Sequence, residues 1–139
     1  MKKQIGQTKD VGFQFGIRKT ISGSTEDIWD YLFSPKGLKI WLGELETEFE
    51  LKKGFRTKNG VEGYVRLVKP NSHIRINWKR KDWTNLSTLQ MRLITNKEKT
   101  TISFHQEKLG DSKQREEVKN YWSDILDKLT TELTKEARH

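Results

Sequence analysis

Glu62 and Tyr64 are the polar residues best placed for chemistry, because they stand two positions apart in a predicted strand and therefore share one of its faces. If the preceding Asn59-Gly60 pair forms a two-residue turn, both side chains point into the protein, where a carboxylate needs a partner or acquires a raised pKa. A longer loop or a bulge turns the opposite face inward. That face carries Val61, Val65 and Leu67. The sequence leaves both registers open.

The remaining reactive residues form no recognisable catalytic or metal-binding set. The chain has no cysteine, and none of His73, His105 and His139 stands at ligand spacing from another histidine. There is no nucleophile elbow, phosphate-binding glycine loop or dinucleotide-binding fingerprint. The glutamates at alternate positions of 44–50 spread charge along a strand and do not surround a calcium ion. We therefore expect no catalytic residue, no metal and no cofactor.

A larger set of mostly aromatic residues is predicted to face the interior and to line a ligand cavity. Apolar pockets with few polar groups are typical of small-molecule sites. A buried indole N–H without a protein partner could also bind a ligand oxygen. The alternative is that these side chains only fill a close-packed core. The candidate cavity residues are Trp41, Phe49, Phe55, Tyr64, Trp78, Met91, Phe104, Trp122 and Leu126.

Basic residues outnumber acidic residues by 27 to 19, which gives a formal net charge of +8. The excess is concentrated between Val61 and Arg92, and a basic surface attracts acidic proteins, anionic lipids or nucleic acids. The candidate partner-binding basic face consists of Arg75, Lys79, Arg80 and Lys81. An acidic protein is a possible partner, whereas nucleic acid is not expected, because the neighbouring Trp78 is predicted to point inward and not to stack on a base. The alternative is that the charges serve solubility and discourage strand-edge pairing.

One long helix and a series of short strands must position these residues. From Ser112 to about Ala137 the apolar residues recur at helical spacing and form a single stripe. The stripe consists of Val118, Trp122, Ile125, Leu126, Leu129 and Leu133. Most of the chain before it alternates with the period of a strand that is apolar on one face, starting with Val11, Phe13, Phe15 and Ile17. The helix can bury its stripe only against the inner face of the resulting sheet.

Two short helices are predicted after the first strand. Ser24 is expected to cap the first of them, and Ser34-Pro35 to begin the second, which ends at Gly43.

A hairpin is predicted next, with a strand over about Glu44–Leu51 and a three-residue loop that places Gly54 in the left-handed conformation. Apolar side chains then meet and acids face bases across the two strands. The predicted pairs are Leu51 with Phe55, Glu50 with Arg56 and Glu48 with Lys58. Further strands are predicted over 61–69 and 73–79, around 89–93 and around 102–104.

The predicted order is β-α-α, about six antiparallel strands, then α, in one α+β domain over 1–139 with its core at about 11–137. A chain of 139 residues is typical of one domain with a sizeable core. The N-terminus lacks the apolar segment of a secretory signal, and no apolar run approaches the roughly 20 residues needed to span a bilayer. The absence of cysteine fits a reducing compartment, and we expect a cytoplasmic protein.

The chain resembles the homologues of the activator of heat-shock-protein-90 ATPase, in the START/SRPBCC superfamily, from about Phe13 to Leu133. The segments that carry the resemblance are Ser24–Trp29, Ser34–Trp41, Gly54-Phe55, Gly63–Pro70, Ile74–Trp78 and Trp122–Leu129. The resemblance implies the helix-grip fold of the birch-pollen allergens, in which a curved antiparallel sheet is wrapped around the C-terminal helix with a cavity between them. It extends only to the C-terminal part of the eukaryotic activators.

Three functions are compatible with these features. The first is a non-enzymatic module that holds a hydrophobic or amphipathic small molecule between the sheet and the C-terminal helix. The second is a co-chaperone-type domain that binds an acidic protein through its basic face. The third, a cyclase-like or hydrolase activity as in some superfamily members, requires Tyr64, Glu62 or Gln106 in the cavity.

Overall fold

A long C-terminal helix packs on one face of an antiparallel sheet, as its apolar stripe requires. The computed structural model describes residues 7–8 and 12–136, so the predictions that involve Val11, Ala137 and His139 lie outside the described residues. The whole predicted stripe of the helix, from Val118 to Leu133, is buried.

The strands are β1 (Gln7–Thr8), β2 (Gly12–Ser22), β3 (Gly54–Arg56), β4 (Val61–Lys69), β5 (His73–Arg80), β6 (Ser87–Asn96) and β7 (Lys99–Leu109). Within the described residues they form one seven-stranded sheet in the order β1-β2-β7-β6-β5-β4-β3. The helices are α1 (Thr25–Leu32), α2 (Pro35–Trp41) and α3 (Ser112–Glu136). Bulges in β2 and β4 interrupt the register, and such bulges bend a sheet. The predicted α+β helix-grip architecture is confirmed.

The two short helices begin where the sequence predicts. The hydroxyl of Ser24 accepts a hydrogen bond from the amide of Asp27 at 3.1 Å, and that of Ser34 accepts from Gly37 at 3.2 Å. Each serine thereby satisfies an amide that has no partner within its own helix. Helix α1 lies against β6 and β7, and α2 packs on α3.

The predicted strand over about Glu44–Leu51 is not formed, and the register predicted for its hairpin is wrong. Among the described residues the two segments form one isolated bridge, between Leu45 and Thr57, and no continuous ladder. Lys52 takes the left-handed conformation (φ 62°) in place of Gly54. The predicted partner Leu51 is 48% exposed.

Charge pairing did not select the predicted register, because acids alternate along 44–50 and meet bases in more than one alignment. Arg56 pairs with Glu46 at 3.4 Å and Lys58 pairs with Glu44 at 3.3 Å. Lys53 in the connecting loop pairs with both Glu48 and Glu50. The predicted pairing of acid with base is therefore present, but with other partners.

A glycine on the inner face decides the register of the next three strands. Phe55 of β3 stands opposite Gly63 of β4, which stands opposite Trp78 of β5. A Cβ on Gly63 would lie 1.8 Å from the backbone oxygen of Asn77 and 3.0 Å from the Phe55 ring. Because Gly63 has no side chain, Phe55 and Trp78 can both point into the interior while the backbone at Asn77 approaches β4 closely.

Candidate functional site

Four aromatic residues form a continuous chain of contacts between the sheet and α3. The ring centroids are 6.4 Å apart for Trp41 and Phe104, 4.6 Å for Phe104 and Trp122, and 5.9 Å for Trp122 and Trp78. The Phe104 and Trp122 rings are stacked. All four residues have no exposed surface, so the fold brings these candidate cavity residues together.

The other apolar candidates belong to the same interior. Phe49 lies against both Trp41 and Phe55, with ring centroids 6.2 and 5.2 Å away. Met91 and Leu126 are buried in the same core.

Two of the three central indoles have protein partners. The Nε1–H of Trp41 donates to the backbone oxygen of Leu32 at 2.8 Å. The Nε1–H of Trp122 donates to Oε1 of Gln106 at 2.7 Å, and Nε2 of Gln106 donates to the hydroxyl of Ser87 at 2.8 Å. Gln106 is therefore in the interior, but both ends of its amide serve as links between α3, β7 and β6.

The third indole differs, because Nε1 of the wholly buried Trp78 has no hydrogen-bond partner among the described residues. Its ring packs on those of Trp83, Tyr121 and Trp122. The Nε atom of Arg80 is also buried and without a partner. Both residues belong to β5, two positions apart and therefore on the same face, and a buried donor without a partner costs about 1–3 kcal/mol.

A cleft of about 350 Å³ opens beside Arg80, between the end of the sheet and Tyr121 of α3. The turn at 58–61, the turn at 80–82 and Tyr121 of α3 line it. Arg80 lies on the inner face because it pairs with the buried Val61, and its guanidinium carbon stands 4.9 Å from the Tyr121 ring centroid. Burial raises the pKa of the Tyr121 phenol, although a hydrogen bond with Asn59 and the charge of Arg80 act in the opposite direction.

Glu62 and Tyr64 lie on the outer face of the sheet, which corrects the placement of Tyr64 in the cavity. Tyr64 is 42% exposed and lines a groove on that face, while Glu62 forms an ion pair with Lys79 at 3.1 Å. The inward positions are taken by the alternate residues, Val61, Gly63 and Val65. Leu67 is outward and 41% exposed, because the bulge after Val65 reverses the alternation. Neither polar side chain is therefore available to act in the interior.

The predicted basic face is divided between different surfaces. Arg75 and Lys79 lie on the outer face, where Arg75 donates to Gln90 at 2.9 Å. Arg80 lies on the inner face, and Lys81 is exposed in the following turn. The four residues do not form one surface, because Lys79 and Arg80 are consecutive in a strand and point to opposite sides.

A different row of cations crosses the outer face of the sheet. Arg18 stands opposite Ser103, Ser103 opposite Arg92, Arg92 opposite His73, and His73 opposite Lys69. Burial lowers the pKa of His73, and the charges of Arg92, Lys69 and Arg75 act in the same direction. We define Arg18, Arg92, His73, Lys69 and Arg75 as the outer basic row.

The sequence contained signals for the inward placement of Arg80 and Gln106, which the predictions did not use. Arg80 has the same parity in its strand as Ile74, Ile76 and Trp78, which places it inward. Gln106 likewise follows Phe104 on the inner face of β7. Tyr121 stands at the margin of the apolar stripe and gave no signal that distinguishes it from a surface tyrosine.

Trp83 is buried and packs on Trp78 with ring centroids 5.3 Å apart, so it is not available to stack on a nucleic-acid base. In the part of the chain that the structure describes, no group of three or more histidine or acidic side chains could hold a metal ion. Over the same residues, no helix is long and apolar enough to cross a membrane.

Solved structures with the same architecture include CalU16 from Micromonospora echinospora, with a TM-score of 0.78, 18% identity, and coverage of 88% of this chain and 76% of CalU16. The Hsp90 activator PFC0360w from Plasmodium falciparum matches with a TM-score of 0.75 and 19% identity, covering 88% of this chain and 97% of that one. DynU16, from the dynemicin biosynthetic locus, matches with a TM-score of 0.77 and 17% identity over 87% of this chain. The chain spans 47% of the length of DynU16. At these identities the likeness establishes the fold.

The comparison with curated proteins found no match. The sequence model of the family described as Activator of Hsp90 ATPase homolog 1-like protein matches residues 22–134, which include both short helices, strands β3 to β7 and most of α3. The chain therefore belongs to the Activator of Hsp90 ATPase homolog 1-like family.

Proposed function

We propose that this chain is a non-enzymatic binding module that holds an amphipathic small molecule between the sheet and α3. The observation that carries the proposal is that the buried Nε1–H of Trp78 has no hydrogen-bond partner among the described residues, whereas the indoles of Trp41 and Trp122 are both paired. A ligand oxygen that accepted this hydrogen bond would offset a cost of about 1–3 kcal/mol.

The surroundings of Trp78 suit a ligand with an apolar body and a polar end. The rings of Trp83, Tyr121 and Trp122 surround its indole, and aromatic side chains offer large apolar contact areas with fixed geometry. Tyr121, whose ring packs on Trp78, also lines the cleft together with Arg80. The relative DynU16 comes from a biosynthetic locus, which is compatible with small-molecule binding by this fold.

Thermal-shift measurements with a library of amphipathic compounds, combined with tryptophan fluorescence, test the proposal. A ligand at one hundred times its Kd stabilises the folded state by about 2.7 kcal/mol, which raises the Tm by several degrees. Trp78→Phe should weaken binding, whereas Trp41→Phe, which removes an indole already paired within the protein, should leave affinity nearly unchanged. The absence of any stabilising compound, together with native mass spectra that contain only the bare chain, would contradict the proposal.

A second candidate function is binding of an acidic protein through the outer basic row. Its arginine and lysine members have no carboxylate within 4.0 Å among the described residues, so their charges are not neutralised within the chain. Family membership and the Hsp90 activator of Plasmodium falciparum make Hsp90 the first partner to examine. Opposite charges across an interface accelerate association and make it dependent on salt.

Pull-down of Hsp90 at low and high salt tests this second function, alongside measurement of the Hsp90 ATPase rate. We expect capture at low salt that is lost at high salt and weakened by Arg75→Gln with Arg92→Gln. Lys128→Gln, on the exposed side of α3, is the matched control. Capture that is insensitive to salt and to the double substitution would reject the electrostatic interface.

A further inference from the structure

The cleft at the end of the sheet has the composition of an anion site. It is lined by Lys58, Arg80 and Lys81 together with a single carboxylate, that of Asp82. Lys58 is partly neutralised by Glu44 at 3.3 Å, whereas Arg80 has no carboxylate within 4.0 Å among the described residues. The formal charge of the cleft therefore remains positive.

Arg80 is held in a fixed position within this cleft. Its backbone pairs with Val61, its guanidinium lies over the Tyr121 ring, and its Nε is buried without a hydrogen-bond partner. A partly buried guanidinium without a counter-ion is costly, and its planar fork of donors matches the oxygens of a carboxylate, sulfonate or phosphate. Stacking on an aromatic ring leaves the edge of the guanidinium open for such contacts.

The backbone of the cleft also leaves space for a ligand. Gly60 adopts a φ of +89°, in the left-handed region that favours glycine, and a Cβ there would meet only the Lys81 side chain at 3.7 Å. The apolar part of the wall is provided by Tyr121, which packs directly on Trp78.

We propose that Arg80 binds the oxyanionic head group of an amphipathic ligand in the cleft formed by the 58–61 turn, the 80–82 turn and Tyr121. This inference rests on the proposed small-molecule function and adds the chemical class of the ligand and its orientation. The head group lies at the mouth, and the apolar body extends towards the Trp78 cluster.

Two dyes with the same aromatic frame test the proposal. These are 1-anilinonaphthalene-8-sulfonate, which carries an oxyanion, and the uncharged N-phenyl-1-naphthylamine. Fluorescence titration of the folded protein at low salt should give tighter binding of the sulfonate. Arg80→Gln should weaken sulfonate binding about tenfold or more, the loss expected for a charge-assisted hydrogen bond, and change the affinity for the neutral dye by less than about twofold.

Arg75→Gln on the outer face is the matched control and should change neither affinity. Arg80→Lys, which keeps the charge but loses the fork, should give an intermediate loss and replaces Arg80→Gln if circular dichroism shows that the latter does not fold. Competition with dodecanoate and with dodecyl phosphate identifies which oxyanion is preferred.

Equal affinity for the two dyes, or sulfonate binding unaffected by both Arg80 variants, overturns the oxyanion site. If the neutral dye still binds in that case, the small-molecule function stands without it. Failure of the folded wild-type protein to bind either dye overturns both proposals.

Discussion

The indole of Trp122 in α3 donates a hydrogen bond of 2.7 Å to the side-chain oxygen of Gln106 in β7, at a point where both residues have no exposed surface. This buried bond connects the helix to the sheet within the aromatic cluster, and it continues through Ser87 to β6. The bond fixes the rotation of α3 about its own axis, because any other rotation leaves the Trp122 indole N–H unpaired.

Gln106→Leu should therefore lower the free energy of unfolding by about 1–3 kcal/mol, because it leaves the N–H of Trp122 buried and unsatisfied. Urea denaturation followed by tryptophan fluorescence measures the loss. Gln90→Leu makes the same change on the outer face of β6 and should cost at most about 0.5 kcal/mol. Equal effects for the two variants would show that the Trp122–Gln106 bond contributes nothing specific.

Trp78→Phe and Trp41→Phe form a pair that isolates the value of an indole N–H. Both remove similar volume from wholly buried sites, but Trp78 loses an unpaired donor while Trp41 loses a bond of 2.8 Å to Leu32. Trp41→Phe should be the more destabilising by about 1 kcal/mol, the net value of a typical hydrogen bond. Differential scanning calorimetry of the ligand-free protein measures the difference, and a larger loss for Trp78→Phe would indicate a partner for its N–H.

Gly63→Ala should destabilise the fold by about 1–3 kcal/mol or prevent folding, because the added Cβ would lie 1.8 Å from the Asn77 oxygen and force the strand to move. Gly54→Ala is the matched control in the paired strand, since its Cβ would make only an ordinary contact at 3.5 Å. Thermal unfolding of both variants checks the prediction. Similar Tm values for the two would mean that β4 and β5 do not approach so closely.

His73 should titrate below its ordinary pKa of 6.5 in an NMR pH titration, because burial and the neighbouring cations disfavour its charged form. Because the pKa of His73 is lower in the folded state than in the unfolded state, the unfolded chain binds this proton more readily. The free energy of unfolding should therefore fall as the pH decreases through and below about 6.5.

Arg92→Gln should raise the pKa of His73 part of the way towards its ordinary value and reduce this loss at low pH. Lys128→Gln, on α3 and away from the row, should do neither. A His73 pKa at or above its ordinary value would show that the outer basic row does not act on this residue.

The sequence was sufficient for the elements that are specified locally. The stripe of α3 and the serine caps at Ser24 and Ser34 depend on residues within a few positions, and all are present as predicted. The register of 44–56 was not predictable from pairing preferences, because the alternating glutamates meet lysine or arginine in several alignments.

The candidate site was predictable only in its apolar part. Strand alternation correctly placed Trp78 and Phe104 in the interior, and the helical stripe placed Trp122 there. The inward side of β4 depended on Gly63, a residue that carries no hydrophobic signal. The position of Arg80 above Tyr121 brings together two elements that are distant in the sequence. Only the folded structure reveals that Nε of Arg80 is buried without a hydrogen-bond partner among the described residues.

The edge strand β3 contains only three residues, and the irregular segment before it covers part of its free hydrogen-bonding edge. The backbone oxygen of Arg56 accepts from the amide of Glu46 at 2.9 Å, and the amide of Lys58 donates to Glu44 at 2.8 Å. This edge is a poor template for an incoming strand, because it is short, these backbone groups are already hydrogen-bonded and it carries charged side chains. This side of the molecule is therefore protected from the edge-to-edge association that leads to aggregation.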